Sequence, residues 1–218
     1  MMSTGSKFLT YCMLWHTTNN KCSTYHIVES DRPVIISGPS GVGKGTMVTR
    51  ILEAHPGKFS TTVSHTTRLP RQGEIDGVTY HFISRLQFEE MIAKGAFIEY
   101  TTFSGNYYGT SKRTIRDQNA KGKIALLDID IDGLKQVKRS GLETQSIFLM
   151  PPSIEELERR LRGRGTETEE SIQRRLGRAS AEIEYAMTSY AYDHVIINDG
   201  IDQAYRDLES LLLGAPAG

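Results

Sequence analysis

The sequence predicts an α/β fold of three layers around a parallel core sheet, with a small mixed insertion and a helical lid. The first of three supporting observations is local. The apolar run Pro33-Val34-Ile35-Ile36-Ser37 leads into Gly38-Pro39-Ser40-Gly41-Val42-Gly43-Lys44-Gly45-Thr46, and the residues from Thr46 to Leu52 have helical spacing. Strand, glycine loop and helix form the context in which backbone N–H groups and a helix N-terminus face anionic oxygens. Second, buried-strand patterns return at Lys123-Ile124-Ala125-Leu126-Leu127-Asp128, at Gln145 to Leu149 and at His194 to Ile197. Helical stretches alternate with them, as a parallel sheet requires. Third, the segment of about residues 60–115 is rich in Thr, Tyr, Arg and Gly. It has strand composition at Thr61 to Ser64, Val78 to Phe82 and Phe97 to Tyr100, and a helical stretch from Arg85 to Lys94.

The glycine loop follows G-x-x-x-x-G-K-[ST] of the P-loop proteins, except that Gly45 stands at the hydroxyl position and Thr46 comes one step later. The candidate triphosphate-binding residues are Gly38, Pro39, Ser40, Gly41, Val42, Gly43, Lys44, Gly45 and Thr46. Lys44 supplies a mobile point charge for the β- and γ-phosphates of a nucleoside triphosphate. Two arrangements for Mg²⁺ are open: Thr46 takes over the missing ligand, or nucleotide oxygens and water hold the ion, which sheds its shell reluctantly. Asp128, ending an apolar run, is the expected acid for orienting Mg²⁺ or its waters. An ordinary strand–turn–helix connection also uses glycines for tight turning, but it does not explain the lysine and the flanks together.

The 218 residues suffice for one medium domain, assigned to 31–218, that buries a core without staples. Lys plus Arg and Asp plus Glu both total 26, so no global field favours nucleic acid or an anionic membrane. Both cysteines, Cys12 and Cys22, precede residue 31. This excludes a disulfide scaffold, a cysteine zinc site and a cysteine nucleophile from the core. No apolar run approaches the roughly 20 residues that span a bilayer. Residues 1–30 are read as a leader, disordered or targeting: they have no acid before Glu29 and only Lys7 and Lys21 as fixed positive charges. A transit peptide would be richer in Arg, and a signal peptide would have a longer apolar region. The expected location is cytoplasmic, with an organellar address in the leader as the alternative.

Between the last two core strands lies the expected lid, about residues 153–180. Ser153 precedes Ile154-Glu155-Glu156-Leu157 as a capping box. Gly163 then breaks the helix, and a second helical stretch runs from Glu169 to Tyr190. Together these hold Arg159, Arg160, Arg162, Arg164, Arg174, Arg175 and Arg178. About half of them are accounted for as a solvated face paired with nearby glutamates. Arg160, Arg164 and Arg175 are assigned with Lys44 to catalysis, because transfer between two polyphosphate substrates needs cations on the moving group.

Ser64-His65-Thr66-Thr67-Arg68-Leu69-Pro70-Arg71-Gln72-Gly73-Glu74 resembles the nucleoside-monophosphate segment of guanylate kinases, as does Phe103-Ser104-Gly105-Asn106-Tyr107-Tyr108-Gly109-Thr110. Leu127-Asp128-Ile129-Asp130 and Arg162-Gly163-Arg164-Gly165-Thr166-Glu167 stand in that family's order and spacing. The resemblance covers about residues 33–213. It implies that Arg68 and Arg71, with Tyr80 and Tyr108, hold the phosphate of GMP through guanidinium forks and phenolic O–H groups. Glu99 would accept from guanine N1–H and the 2-amino group, Asp130 would reinforce the latter contact, and Ser64 and Thr110 would donate to O6. That pattern rejects adenine. Glu74 would orient the arginines.

The activity so implied is ATP plus GMP to ADP plus GDP, with Mg²⁺. The attacking phosphate oxygen is already ionised, so alignment and charge neutralisation suffice without a general base, and closure of arm and lid excludes water. The expected partners are ATP and GMP, with no nucleic acid and no membrane, and the chain is expected to be a monomer. Asp132 stands where the family often has Gln, and Gly45 where many members have Ser; Gly-Lys-Gly-Thr also resembles adenylate kinases. His65 is read as an exposed polar loop residue and Tyr107 as a packing residue. Two alternatives stand beside this reading. One is a guanylate-kinase-like module that binds phosphorylated peptides, though such modules tend to lose the loop lysine, here Lys44. The other is a P-loop kinase of a phosphorylated sugar, against which Glu99 and Asp130 count.

Overall fold

The computed structural model describes residues 32–163, 165 and 167–214. The expected leader and Arg164 lie outside the described residues. In chain order the elements are β1 (Val34–Ser37), α1 (Lys44–Ala54), β2 (Phe59–Thr61), β3 (His65–Thr66), β4 (His81–Phe82), α2 (Arg85–Ala93), β5 (Phe97–Phe103) and β6 (Asn106–Ser111). There follow α3 (Lys112–Asn119), β7 (Ile124–Asp128), α4 (Ile131–Arg139), β8 (Gln145–Met150), α5 (Ile154–Arg162), α6 (Glu169–Thr188), β9 (His194–Ile197) and α7 (Ile201–Leu213). They fall into two compact units. Of the described residues, one holds Gly38–Met47 and those from Ser146 onward; the other holds residues 32–37 and Val48–Gln145.

In the second unit β7 lies between β1 and β2, parallel to both, with Ile35 opposite Leu127 and Phe59 opposite Ile124. A strand covered on both faces needs a continuous apolar run. Ile35, Leu126 and Leu127 accordingly are at most 1% exposed. The apolar pattern of β7 stops at Asp128 because Asp130 caps the next helix, its carboxylate accepting Gly133 N–H at 2.9 Å.

The mixed sheet of this unit has the order β4-β3-β6-β5, with β3 and β4 parallel and the other pairs antiparallel. Two sequence expectations are corrected here. The strand expected at Thr61 to Ser64 is divided: β2 ends at Thr61 in the parallel array and β3 begins at His65 in the mixed sheet, so residues 62–64 are a link. The strand expected at Val78 to Phe82 shrinks to β4, because Val78 and Thr79 both donate their N–H to Ile75 O and close a turn. The helix α2 carries a full capping box, Ser84 with Gln87, which the sequence spells as S-x-x-Q. Its buried Phe88 stacks on Phe97 at 4.3 Å and on Tyr107 at 5.0 Å, so Tyr107 packs as expected.

In the first unit β8 and β9 are parallel, Phe148 opposite Val195. The helices α5 and α6 close over Leu157, Leu161, Ile172, Leu176 and Ala179. Ser153 caps α5 by accepting Glu156 N–H at 3.1 Å. The reciprocal half of the expected capping box is replaced: the Glu156 carboxylate takes Arg159 and Arg160, each at 2.7 Å. Three charge-assisted bonds within the helix outcompete one neutral backbone donor. Among the described residues no helix is long and apolar enough to cross a membrane.

Candidate functional site

The candidate residues form two groups, one in each unit. In the first unit the glycine loop leaves β1 at Gly38, whose φ of +147° and position against β8 both demand glycine: a Cβ would stand 2.3 Å from Leu149 O. Val42 is fully buried and donates its N–H to Pro39 O at 3.1 Å. Gly43 O accepts Met47 N–H at 3.1 Å, starting α1, so the loop runs directly into a helix N-terminus. Lys44 Nζ donates to Gly38 O at 2.6 Å and to Pro39 O at 3.4 Å, which holds the ammonium on the loop.

Of the lid arginines, Arg175 reaches the loop. Its guanidinium donates to Ser40 Oγ and pairs with Glu167 at 3.1 Å, and Ser171 Oγ fastens Glu167 at 2.6 Å. Arg160 is engaged differently. It donates to Glu156 at 2.7 Å and to the carbonyls of Asn198 and Asp199 at 3.0 and 3.3 Å. Arg159, Arg162, Arg174 and Arg178 pair with glutamates of α5 and α6, the solvated face expected for them.

In the second unit Arg68, Glu74, Tyr80 and Tyr108 come together. Arg68 donates from both terminal nitrogens to Glu74, at 2.9 and 2.8 Å, and also to Leu69 O at 2.7 Å. Its guanidinium lies 5.6 Å from the Tyr80 ring, and Tyr80 meets Tyr108 edge-on at 6.0 Å. Arg71 is exposed and contributes its backbone N–H, which donates to Glu74 at 2.7 Å. These donors lower the Glu74 carboxyl to about 2, the Arg68 bond first and the Arg71 N–H second.

Glu99 on β5 is 7% exposed, and its Oε1 accepts Thr110 N–H at 2.9 Å. The Thr110 hydroxyl meets Ser64 Oγ at 3.2 Å, so one carboxylate and two hydroxyls adjoin. Burial pushes the Glu99 carboxyl up, the Thr110 hydrogen bonds oppose this, and the charge of Asp130 adds to it. A Cβ at Gly133 would stand 3.5 Å from Glu99 Oε2. Asp130, expected to read a base amine, serves in the structure as the N-cap of α4.

His65 departs from its reading as an exposed loop residue. It is half-buried on β3, with its ring 4.6 Å from His81 and 5.7 Å from Phe97, and its carrying strand is short enough that composition gave no sign of it. Burial, then the neighbouring His81, lower it to about 4 against the pull of Asp76. Sequence reasoning also missed Asn198. It is 2% exposed and donates from Nδ2 to Val42 O at 2.8 Å, yet a lone Asn after a strand reads as a turn residue.

The metal candidates Thr46 and Asp128 are both exposed oxygen donors. Among the described residues no group of three or more His, Cys, Asp or Glu side chains is placed to hold a metal ion. Hard oxygens in small number fit an ion that keeps several waters and bridges phosphates, as Mg²⁺ does.

A family model described as guanylate kinase matches residues 30–214. A guanylate kinase of Schizosaccharomyces pombe is 50% identical over 182 residues, covering 84% of this chain and 90% of the relative. The Homo sapiens guanylate kinase is 48% identical over 185 residues, covering 85% and 94%. Guanylate kinase 1 of Oryza sativa is 49% identical over 186 residues, covering 85% of this chain and 49% of the relative, so the chain spans about half that protein's length. Among solved structures, a guanylate kinase from Anaplasma phagocytophilum matches with a TM-score of 0.59 and 32% identity, covering 83% of this chain and 84% of that one. The SH3-kinase fragment of tight junction protein 3 matches at a TM-score of 0.50 and 13% identity, covering 97% and 75%, a likeness of fold alone.

Proposed function

The chain belongs to the guanylate kinase family, and from that premise we propose that it transfers the γ-phosphoryl group of ATP to GMP, giving ADP and GDP. The observation that carries the acceptor is Glu99 beside Ser64 and Thr110. A phosphate fork alone would serve any monophosphate. A buried carboxylate next to two hydroxyls offers acceptors to guanine N1–H and the 2-amino group, and donors to O6. Adenine has no N1 proton and carries an amine where guanine has O6, so it would leave the carboxylate buried and unmatched.

Arg68 and Arg71, with Tyr80 and Tyr108, bind the GMP phosphate; Glu74 holds Arg68 in register for it. The loop Gly38–Thr46 cradles the ATP phosphates, Lys44 leaves its loop carbonyls for the β- and γ-oxygens, and Arg175 and Arg160 add positive charge to the transferring group. The phosphate oxygen of GMP is ionised near neutral pH, so no side chain need take a proton. Bound Mg²⁺ would supply charge neutralisation; the candidates that would hold it, in part through water, are Thr46 in the first unit and Asp128 in the second.

A coupled assay of ADP release over GMP, AMP, ribose phosphates and a phosphopeptide tests the reading. Turnover with GMP at least a hundredfold above AMP is expected. Phosphopeptide binding without ADP release would replace it with a binding module, and preference for a sugar phosphate would replace it with a different kinase.

A further inference from the structure

Asn198 follows β9 and has no role in the reaction as described so far, yet it is among the few buried polar residues, at 2% exposure. Its backbone N–H donates to Met150 O at 2.8 Å, which fixes the main chain at the end of β8. Its Nδ2 donates to Val42 O at 2.8 Å, inside the glycine loop. The same nitrogen lies 2.8 Å from where a Cβ at Gly43 would stand, and Gly43 has a φ of +105°. Only glycine both adopts that backbone and admits the Asn198 side chain against it. The Asn198 carbonyl in turn accepts Arg160 at 3.0 Å, tying α5 to the same point.

A trans peptide is planar, so its C=O and the following N–H point in opposite directions. By holding Val42 O, Asn198 therefore fixes where the Gly43 N–H points. We infer that Asn198 is a positioning residue for phosphate binding: its side-chain amide locks the Val42–Gly43 peptide so that the Gly43 N–H faces the phosphates of the donor. The inference rests on the donor-site reading of the loop. Among the described residues nothing else donates to the Val42 carbonyl, so without the amide it is stranded, and rotating the peptide to find a partner turns the Gly43 N–H away. Asn198 Oδ1 is buried with no hydrogen-bond partner among the described residues, so the amide is held through its nitrogen alone.

The test uses tripolyphosphate as a competitor of ATP, because it carries the phosphates without base or sugar. Asn198→Asp keeps the shape but sets an acceptor against the Val42 carbonyl; Asn198→Ala removes the whole amide and with it the donor. In Asn198→Asp, the tripolyphosphate inhibition constant and the KM for ATP should rise together, by roughly tenfold or more, the scale of one lost buried hydrogen bond with its partner stranded. The KM for GMP should stay within about twofold, since its ligands lie elsewhere. Asn198→Ala should follow in the same direction by at least about threefold, and it carries the test if the aspartate variant does not fold. A rise in KM for ATP with tripolyphosphate unaffected would show that Asn198 reads the nucleoside and would overturn the assignment. A parallel rise for GMP would make the residue merely structural and overturn it as well. Wild-type protein indifferent to millimolar tripolyphosphate would instead overturn the donor-site reading on which the inference stands.

Discussion

Glu74 and Arg68 form a two-armed ion pair in which one Glu74 oxygen also accepts the backbone N–H of Arg71. The side chains are 18% and 15% exposed, well protected for an ion pair on a loop. The pair presets the arginine before any anion arrives: the fork is planar and held by two parallel bonds, and the Tyr80 and Phe82 rings flank it at 5.6 and 5.8 Å. Rigidifying a cation in its binding posture lowers the ordering cost of binding.

Glu74→Gln should therefore weaken GMP without touching ATP. The amide can satisfy only part of the fork, leaving Arg68 free to swing. The KM for GMP should rise roughly tenfold, with kcat changing less and KM for ATP constant. An improved KM for GMP would show instead that Glu74 competes with the substrate phosphate.

For Glu99→Gln, stability and function should move in opposite directions. The raised pKa marks a carboxylate that burial disfavours in its charged form. Glutamine keeps the acceptor for Thr110 N–H and removes the buried charge, so the thermal midpoint should hold or rise. It also turns a donor toward a donor of guanine, and kcat/KM for GMP should fall roughly 10–200-fold. In the wild type, KM for GMP should climb as pH falls through the raised pKa, because the protonated form loses an acceptor. A KM for GMP that stayed flat throughout this descent would remove Glu99 from the base site.

Lys44→Ala separates folding from transfer. Among the described residues the ammonium bonds loop carbonyls alone, at 2.6 and 3.4 Å. The midpoint should stay within a few degrees while turnover slows by about 10²-fold or more, the scale for deleting a preorganised charge stabiliser. Near-normal turnover would transfer that role to the arginines.

Legibility in the sequence followed the range of the interaction. The loop was readable because glycines, lysine and both flanking periodicities lie within one short stretch, and β1, β7 and β8 were readable because a strand buried on both faces must be apolar throughout. Glu99 and Arg68 came from resemblance; no local pattern marks a carboxylate as buried. The division of the Thr61 to Ser64 run between two sheets was hidden because strand composition does not say which sheet a residue joins. Arg160 was assigned to the phosphates from its company in the chain; its bonds to Glu156 and to the carbonyls of residues 198 and 199 were out of reach of the sequence because they cross from α5 to the chain after β9. Asn198 was missed for the same reason: its partner lies 156 residues away.

His65 gives a pH dependence of stability with a definite sign. The unfolded chain takes up a proton near 6.5, while the folded protein holds this imidazole neutral down to about 4. Between those values the unfolded state binds more protons, so stability is full above pH 6.5 and declines as pH falls toward 4. His194, also lowered by burial, adds a slope of the same sign. Urea midpoints from pH 7.5 to 4.5 should fall for the wild type and fall less for His65→Asn. Parallel curves for the two proteins would show that His65 protonates without cost.

Gly45→Ser tests the loop's departure from the family pattern. Gly45 is the second residue of α1, is exposed, has an ordinary helical backbone, and a Cβ there meets nothing within 4 Å. Serine should therefore be accepted without rearrangement and should gain a few tenths of a kcal/mol in helix propensity over glycine, on the order of one or two degrees in midpoint. Its hydroxyl would add a hard oxygen at the loop–helix junction, one residue before Thr46. The Mg²⁺ concentration giving half-maximal activity at fixed ATP should then drop severalfold, with KM for GMP unchanged. A double variant, Gly45→Ser with Thr46→Ala, shows which hydroxyl the wild type uses. If Thr46 is the ligand in this chain, Thr46→Ala alone raises the Mg²⁺ requirement and the added serine restores it; if neither change alters that requirement, nucleotide oxygens, Asp128 and water hold the ion without help from the loop.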